Sequence, residues 1–438
     1  MAKRVNGQLL FVFTLIVVLL EFSMVFAFAA VFVALLEKYQ RDRSSTATVQ
    51  SIFIGVTLSF GVVSGALVTK LGLALVTLIS SILVPVGFSA SFFATRIEHL
   101  YISIGLVSGI GISLGYVSAV VVVGRIFTGQ KRVLYLSVQT AVSSLSGLIY
   151  PYVLDWLIGL YGLNGTFLIL GAIYSNKLPF FIMCWMNRTS LTSETSSNVK
   201  KDEDDGTQQH TAKHKRNFLL DGVHTFRAIM NKTFVLMLFA SGISIAGTNG
   251  YIGLTLDICL WKGFSNSQGL FSFVIFNIAN TLSRLVPGIL KQKRGVDSFI
   301  FPVFAAVSGC VGQLLLYLGK SYTVYIIGTC LIGTAVGGVV SSQLILVMKI
   351  VRAEYIPVAS GLLLTATGLV SVATGPVFGS FRDNSGSYGS VVLTICAIQA
   401  IAAVFFAIAL VYRRIDTAKK KAKQTRRNTV FSITVSQL

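Results

Sequence analysis

Ionisable side chains inside long apolar runs are the residues of this sequence best suited to chemistry. Each costs about 2.5–3.5 kcal/mol to place at the centre of a membrane helix, and such groups are retained for a pathway or a partner. The sharpest case is Arg284, in the stretch Phe276-Asn277-Ile278-Ala279-Asn280-Thr281-Leu282-Ser283-Arg284. Asn277, Asn280 and Arg284 recur at i, i+3 and i+7, so a helix places all three on one face. Such a stripe belongs against a wet cavity, where a guanidinium offers an always-charged fork that matches a carboxylate. The competing reading is that Arg284 snorkels to the nearby membrane edge, since Lys291 lies two turns on. Glu21, flanked by Leu19, Leu20 and Phe22, is the acidic counterpart. Either it carries a proton, or it neutralises Arg284 or Arg125 across the cavity. Lys177, in Ser175-Asn176-Lys177-Leu178-Pro179, sits where Asn176 and Pro179 signal a broken helix, and inward and lateral placements stay open. Asn249, Tyr251, Gln139 and Gln343 are further candidate cavity groups, each also explained by an interhelical hydrogen bond.

Other chemistries find no residues to carry them. His99 lies in a short loop and His210, His214 and His224 in a polar segment, with no HExxH, GxSxG or GxxxxGK[ST] pattern in the chain. The glycines of Gly105-Leu106-Val107-Ser108-Gly109-Ile110-Gly111 fall inside an apolar run, where they let helices approach closely. The five cysteines, Cys184, Cys259, Cys310, Cys330 and Cys396, all sit in apolar stretches without a CxxC or a nearby His, so they read as small buried hydrophobes. No catalytic constellation, metal site or cofactor is implied.

The elements that must position these residues are membrane helices. Of 438 residues, 54% are hydrophobic and 12% charged, and the mean hydropathy is +0.77. An ordinary soluble domain carries about 25% charged residues, so a soluble globular fold is excluded. The formal charge of +20 would suggest nucleic acid in a soluble protein, but this chain has too little polar surface for that. Apolar runs of spanning length fall near 9–36, 47–69, 72–94, 100–124, 133–157, 164–186, 233–256, 267–290, 299–318, 323–347, 357–380 and 388–412. This predicts an all-α polytopic membrane protein with twelve transmembrane helices in two six-helix halves. The first run, though preceded by Lys3 and Arg4, is too long for a secretory signal. The expected organisation is an N-terminal half over 1–187, a disordered cytoplasmic linker over 188–232, a C-terminal half over 233–412 and a basic cytoplasmic tail over 413–438. The linker contains the run Asp202-Glu203-Asp204-Asp205 and the cluster Lys213, Lys215, Arg216, and cannot bury a core. With the N-terminus inside, the outer side collects only Lys38, Arg41, Arg43, Arg96, Lys262, Lys320 and Arg382 of the 36 basic residues, which predicts both termini in the cytoplasm. Two six-helix halves joined by such a linker is the layout of the major facilitator fold, whose substrate site lies near the midplane between the halves.

Several stretches resemble the monocarboxylate transporter family within that superfamily. Val123-Gly124-Arg125-Ile126-Phe127, the pair Lys131-Arg132, the small-residue stretch Ser143-Ser144-Leu145-Ser146-Gly147 and Tyr161-Gly162-Leu163-Asn164-Gly165 follow the family's order of motifs. The most specific match is Ala359-Ser360-Gly361-Leu362-Leu363-Leu364, then Gly375-Pro376-Val377-Phe378-Gly379, then Asp383-Asn384-Ser385-Gly386-Ser387-Tyr388. The resemblance covers nearly the whole chain at low identity. It implies alternating-access transport of small organic anions, with Arg284 as anion anchor and with Arg125 and Asp383 as conformational motif residues. It also implies a plasma-membrane location and, as for some family members, a single-span accessory glycoprotein. Proton-coupled members carry an Asp four residues before the matching arginine and a Lys in the first span. Here those positions are Asn280 and Phe28. Either Glu21 has taken over coupling, or transport is uncoupled; a larger or zwitterionic substrate, or a non-transporting receptor or scaffold of the same fold, fits the losses as well. Membrane lipids are the expected partners of Lys419-Lys420-Lys421-Ala422-Lys423 and Arg426-Arg427, unless that cluster only fixes topology.

Overall fold

The computed structural model describes residues 7–127, 129–188, 230–290, 299–351 and 356–436, and all regular structure among them is helical. Among the described residues, ten helices are long and apolar enough to cross a membrane as continuous elements. An eleventh crossing is the bent pair Arg43–Ser59 and Gly61–Leu71, which meet at 46°. A twelfth comes from the long apolar helix Leu134–Met186, whose 53 residues are far more than the about 20 needed for one crossing. Gly162 divides it: at φ 66° and ψ 174° the backbone leaves the helical region, a conformation in which a Cβ would be strained. The spans are therefore Gly7–Tyr39, Arg43–Ser59 with Gly61–Leu71, Leu73–Phe93, Ile97–Ile126, 129–161, 163–186, Lys232–Trp261, Asn266–Leu290, Ile300–Leu318, Tyr322–Ile350, Ile356–Val372 with Thr374–Ser385, and Gly389–Ser436. They are called first to twelfth in that order.

Around Lys177, where a break was expected, the helix only tightens into one 3-10 turn over Ser175–Lys177 with helical dihedrals on both sides, and Leu178–Met186 continues with Pro179 in its first turn. Proline suits that position because its missing N–H has no intrahelical partner there. The twelfth span does not end where the apolar run ends. Its helix continues through Ser436, about 72 Å at 1.5 Å per residue against a hydrocarbon core of about 30 Å. The basic tail is thus a helical extension of the span. The expected linker lies outside the described residues, apart from its first residue and its last three.

Six crossings in each half bring both ends of each half to one face, here the terminal face, with Asp42, Lys262 and Gly386 near the opposite one. The halves meet along two seams. In one, the second span packs on the eleventh: Gly375 N donates to Ser51 Oγ (2.7 Å) and Thr365 Oγ1 to Ser59 O (3.2 Å). A Cβ on Gly379 would come within 2.4 Å of Ser44 Cα, so only glycine permits this approach. In the other, the fifth span packs on the eighth: Ser144 Oγ lies 2.8 Å from Thr281 Oγ1, and Asn266 Nδ2 donates to Asp155 Oδ1 (3.1 Å).

Candidate functional site

Arg284 lies in the seam between the fifth and eighth spans. It is 6% exposed, and its guanidinium turns across the seam and away from the membrane edge. Nη1 donates to Thr140 O (2.7 Å) and Ser143 Oγ (2.9 Å) of the other half, and Nε donates to Asn280 Oδ1 (3.0 Å) one turn back. The Phe26 ring of the first span faces the guanidinium at 5.9 Å, within cation–π range. All of these partners are neutral. The expected stripe is real: Asn277 and Asn280 are both fully buried beside Arg284. Asn277 Nδ2 donates to Gly147 O (3.2 Å) and Phe273 O (2.9 Å), and a Cβ on Gly147 would lie 2.2 Å from Asn277 Oδ1, so the glycine makes the niche. Asn277 Oδ1 and Asn280 Nδ2 have no hydrogen-bond partner, leaving one acceptor and one donor unspent in the cluster.

Glu21 does not meet Arg284 or Arg125, as one of the sequence readings had it. Its Oε1 lies 2.9 Å from Lys177 Nζ, and the side chains of Glu21 and Lys177 are 0% and 1% exposed. Lys177 also donates to Ser80 Oγ (2.7 Å). The pair is held wholly within the N-terminal half, in a niche that depends on Gly115, where a Cβ would collide with the carboxylate. Sequence could not assign this partner because 156 positions separate the two groups, and in helices that are apolar on every side there is no polar face to orient them.

Other candidates separate into two groups. Asn249 donates to Ser371 Oγ (3.1 Å) within its own half and lines a narrow cleft at the seam with Gln50, Ser51 and Thr374. Tyr251 stays inside its own half, its hydroxyl 3.2 Å from Thr329 Oγ1, so it is not brought to Arg284. Gln139 neighbours the Arg284 acceptor Thr140 in sequence and is 1% exposed with both amide atoms unpartnered; Gln343 is 6% exposed with Nε2 unpartnered. Arg125 and Asp383 lie at opposite ends of the bundle. Arg125 is half-buried in the last turn of the fourth span at the terminal face, whereas Asp383 accepts from Ser44 N (3.1 Å) at the opposite face.

That opposite face is closed by a group the sequence reading left out. Arg43 Nε of the second span pairs with Asp257 Oδ2 of the seventh at 2.7 Å, and Tyr388 donates to the same oxygen from the start of the twelfth. Asp257 follows Leu254-Thr255-Leu256 directly, and the apolar run was expected to end at 256. The helix continues to Trp261, which places the carboxylate inside the span.

Comparison with known proteins places the chain in a family. Residues 13–374 match the profile described as Major Facilitator Superfamily. The chain belongs to the major facilitator superfamily. Among its relatives in this superfamily are monocarboxylate transporter 2 of Meriones unguiculatus, 24% identical over 395 residues, covering 88% of this chain and 81% of that protein. Monocarboxylate transporter 2 of Homo sapiens is 25% identical (86% and 80% covered), and monocarboxylate transporter 12 of Rattus norvegicus 22% (88% and 80%). A POT family transporter solved in complex with 5-aminolevulinic acid superposes with a TM-score of 0.68 at 13% identity, covering 92% of this chain and 96% of that one. The nucleoside transporter NupG superposes equally well at 14% identity, covering 91% and 99%. At these identities the two structures speak to the fold.

Proposed function

We propose that this superfamily member carries small organic anions of the monocarboxylate type across the plasma membrane by alternating access of its two halves, with Arg284 as the anion anchor. The supporting observation is that Arg284 is buried between the halves on neutral partners alone, with Asn280 Nδ2 left unspent beside it. A buried cation without a counter-ion is costly, and a substrate carboxylate supplies the missing charge with fork-to-fork geometry. Coupling to protons through this cluster has no support in its residues: Asn280 cannot release a proton, and Glu21 is sealed against Lys177. Closure at the far face by Arg43, Asp257 and Tyr388 would have to open for the site to reach that side. A zwitterionic substrate is the second reading, favoured by Asn277 Oδ1, an unspent acceptor able to take an ammonium. The test is uptake of radiolabelled lactate, pyruvate and an amino-acid panel by the purified chain in liposomes. Arg284→Ala should abolish uptake of whichever carboxylates the wild type takes; unchanged uptake of all of them would remove Arg284 from the mechanism.

A further inference from the structure

Two thiols of the C-terminal half touch each other inside the membrane spans. Cys310 Sγ of the ninth span lies 3.4 Å from Cys396 Sγ of the twelfth, and Cys396 Sγ is also 3.4 Å from Cys310 O. The five cysteines were expected to be buried, yet Cys310, Cys330 and Cys396 are only partly so, and all are free thiols. Cys310 lies eight residues before the end of the ninth span at Leu318, and Cys396 seven after the start of the twelfth at Gly389. At 1.5 Å per residue both are about 10–12 Å inside the far face, so neither helix has to slide for the sulfurs to meet. The surroundings keep them together. A Cβ on Gly309 would lie only 3.4 Å from Gln399 Cδ, so the ninth span runs close against the twelfth at this level. Gln399, one turn after Cys396 and 2% exposed, is held from the other side: Oε1 accepts from Ser244 Oγ (2.9 Å), and Nε2 donates to Ser244 O (3.1 Å) and Thr248 Oγ1 (2.9 Å) of the seventh span. The twelfth span is thereby clamped between two neighbours, and a disulfide needs the sulfurs to close by only about another 1.4 Å.

The pair borders the lipid-facing surface. Val307, Val311 and Leu393, within one turn of the two cysteines on their own helices, are 45%, 43% and 40% exposed, so a reagent reaches the thiols through the hydrocarbon. We infer that Cys310 and Cys396 form an oxidation site for organic hydroperoxides dissolved in the membrane, closing to a disulfide that ties the ninth span to the twelfth. One cysteine, as thiolate, attacks the terminal peroxide oxygen: an S–O bond forms, the O–O bond breaks, and the alkoxide takes up a proton and leaves as an alcohol. The second thiol attacks the resulting sulfenic sulfur, so that the S–S bond forms and the hydroxyl leaves with a proton as water. The two thiols give up two electrons and the hydroperoxide accepts them. Because the cysteines are 86 positions apart, the bond closes a long loop and stabilises the half by constraining its unfolded chain. It lies within one half and leaves both seams free to part.

The experiment treats the full chain in liposomes with cumene hydroperoxide. Non-reducing peptide mapping should recover a peptide linked through Cys310 and Cys396, lost on reduction with dithiothreitol, and the melting temperature should rise by about 4 °C or more. Cys330→Ser should respond as the wild type does, whereas Cys310→Ala and Cys396→Ala should give neither the linked peptide nor the rise. Each variant is compared with its own untreated sample, so a packing loss from the alanine cancels. Thiols that stay free under treatment, or that end as sulfinic and sulfonic acids on separate peptides, overturn the site. A linked peptide without a rise in melting temperature overturns its stabilising role.

Discussion

The protein buries two cations inside its spans and treats them in opposite ways. Lys177, in the N-terminal half, has a carboxylate at 2.9 Å and a hydroxyl at 2.7 Å, and all three groups belong to the same half. Arg284, in the C-terminal half, has only neutral acceptors, and two of its three hydrogen bonds cross to the other half. The first arrangement pairs its charges within one half and ties the first, third and sixth spans together, with Glu21 Oε2 left without a hydrogen-bond partner. The second has no described carboxylate as partner and lies in the seam between the halves, where the proposed mechanism requires them to separate. Charge inside a membrane protein therefore says little about function until its compensation is known.

The comparison can be broken most forcefully at Lys177. Lys177→Ala leaves Glu21 buried without its partner, a loss of about 3–5 kcal/mol, and should sharply reduce the yield of folded, monodisperse protein. The double variant Glu21→Leu with Lys177→Met should restore most of that yield, since an apolar pair removes both desolvation penalties; failure of the rescue would assign the pair a role beyond holding the helices. Arg284→Ala should do the reverse. Removing an uncompensated charge leaves thermal stability unchanged or raised, while transport falls about a hundredfold or more, as measured by uptake and melting on the same preparation. A fall in stability of several kcal/mol would place Arg284 in the same class as Lys177.

Weaker effects are expected at the far face, where Arg43 and Asp257 are 30% and 11% exposed. Asp257→Asn keeps the shape but replaces the ion pair with a neutral hydrogen bond, a loss of about 1 kcal/mol given the partial exposure of Arg43, and should raise labelling of a cysteine placed in the second–eleventh seam from that face a fewfold. Unaltered labelling would show that the ion pair does not hold the face shut. The smallest effect belongs to Asp42, which caps the second span by accepting from Ser45 N at 3.1 Å. The Ser45 hydroxyl, with the backbone amide, holds its carboxyl below the usual carboxylate range. The cap is therefore complete above the ordinary carboxylate pKa of about 4 and is lost as pH falls through the lower folded value. Asp42→Ala should cost about 1 kcal/mol at neutral pH, and the difference from wild type should vanish in acid.

The number of crossings, the division into halves and the polar stripe of the eighth span were legible in the sequence because each depends on local pattern. A bilayer sets the length of an apolar run, and the pitch of a helix puts Asn277, Asn280 and Arg284 on one face. What faces what was not legible. The first and seventh spans are apolar around most of their circumference, so periodicity carries almost no directional information for Glu21 or Tyr251. The boundary of the seventh span was equally obscure, because an aspartate next to an apolar run reads as its end, whereas Arg43 from another span makes the carboxylate tolerable inside.

The sequence by itself determined that this chain crosses a membrane about a dozen times, and that a guanidinium on a stripe of amides is its most unusual group. Tertiary structure alone decided that Glu21 belongs to Lys177, that Tyr251 turns into its own half and that no described carboxylate comes to Arg284. The reason is one of range: hydropathy and helical pitch act over one to a few turns, whereas compensation of a buried charge depends on which side chain from a distant span is packed within about 4 Å of it.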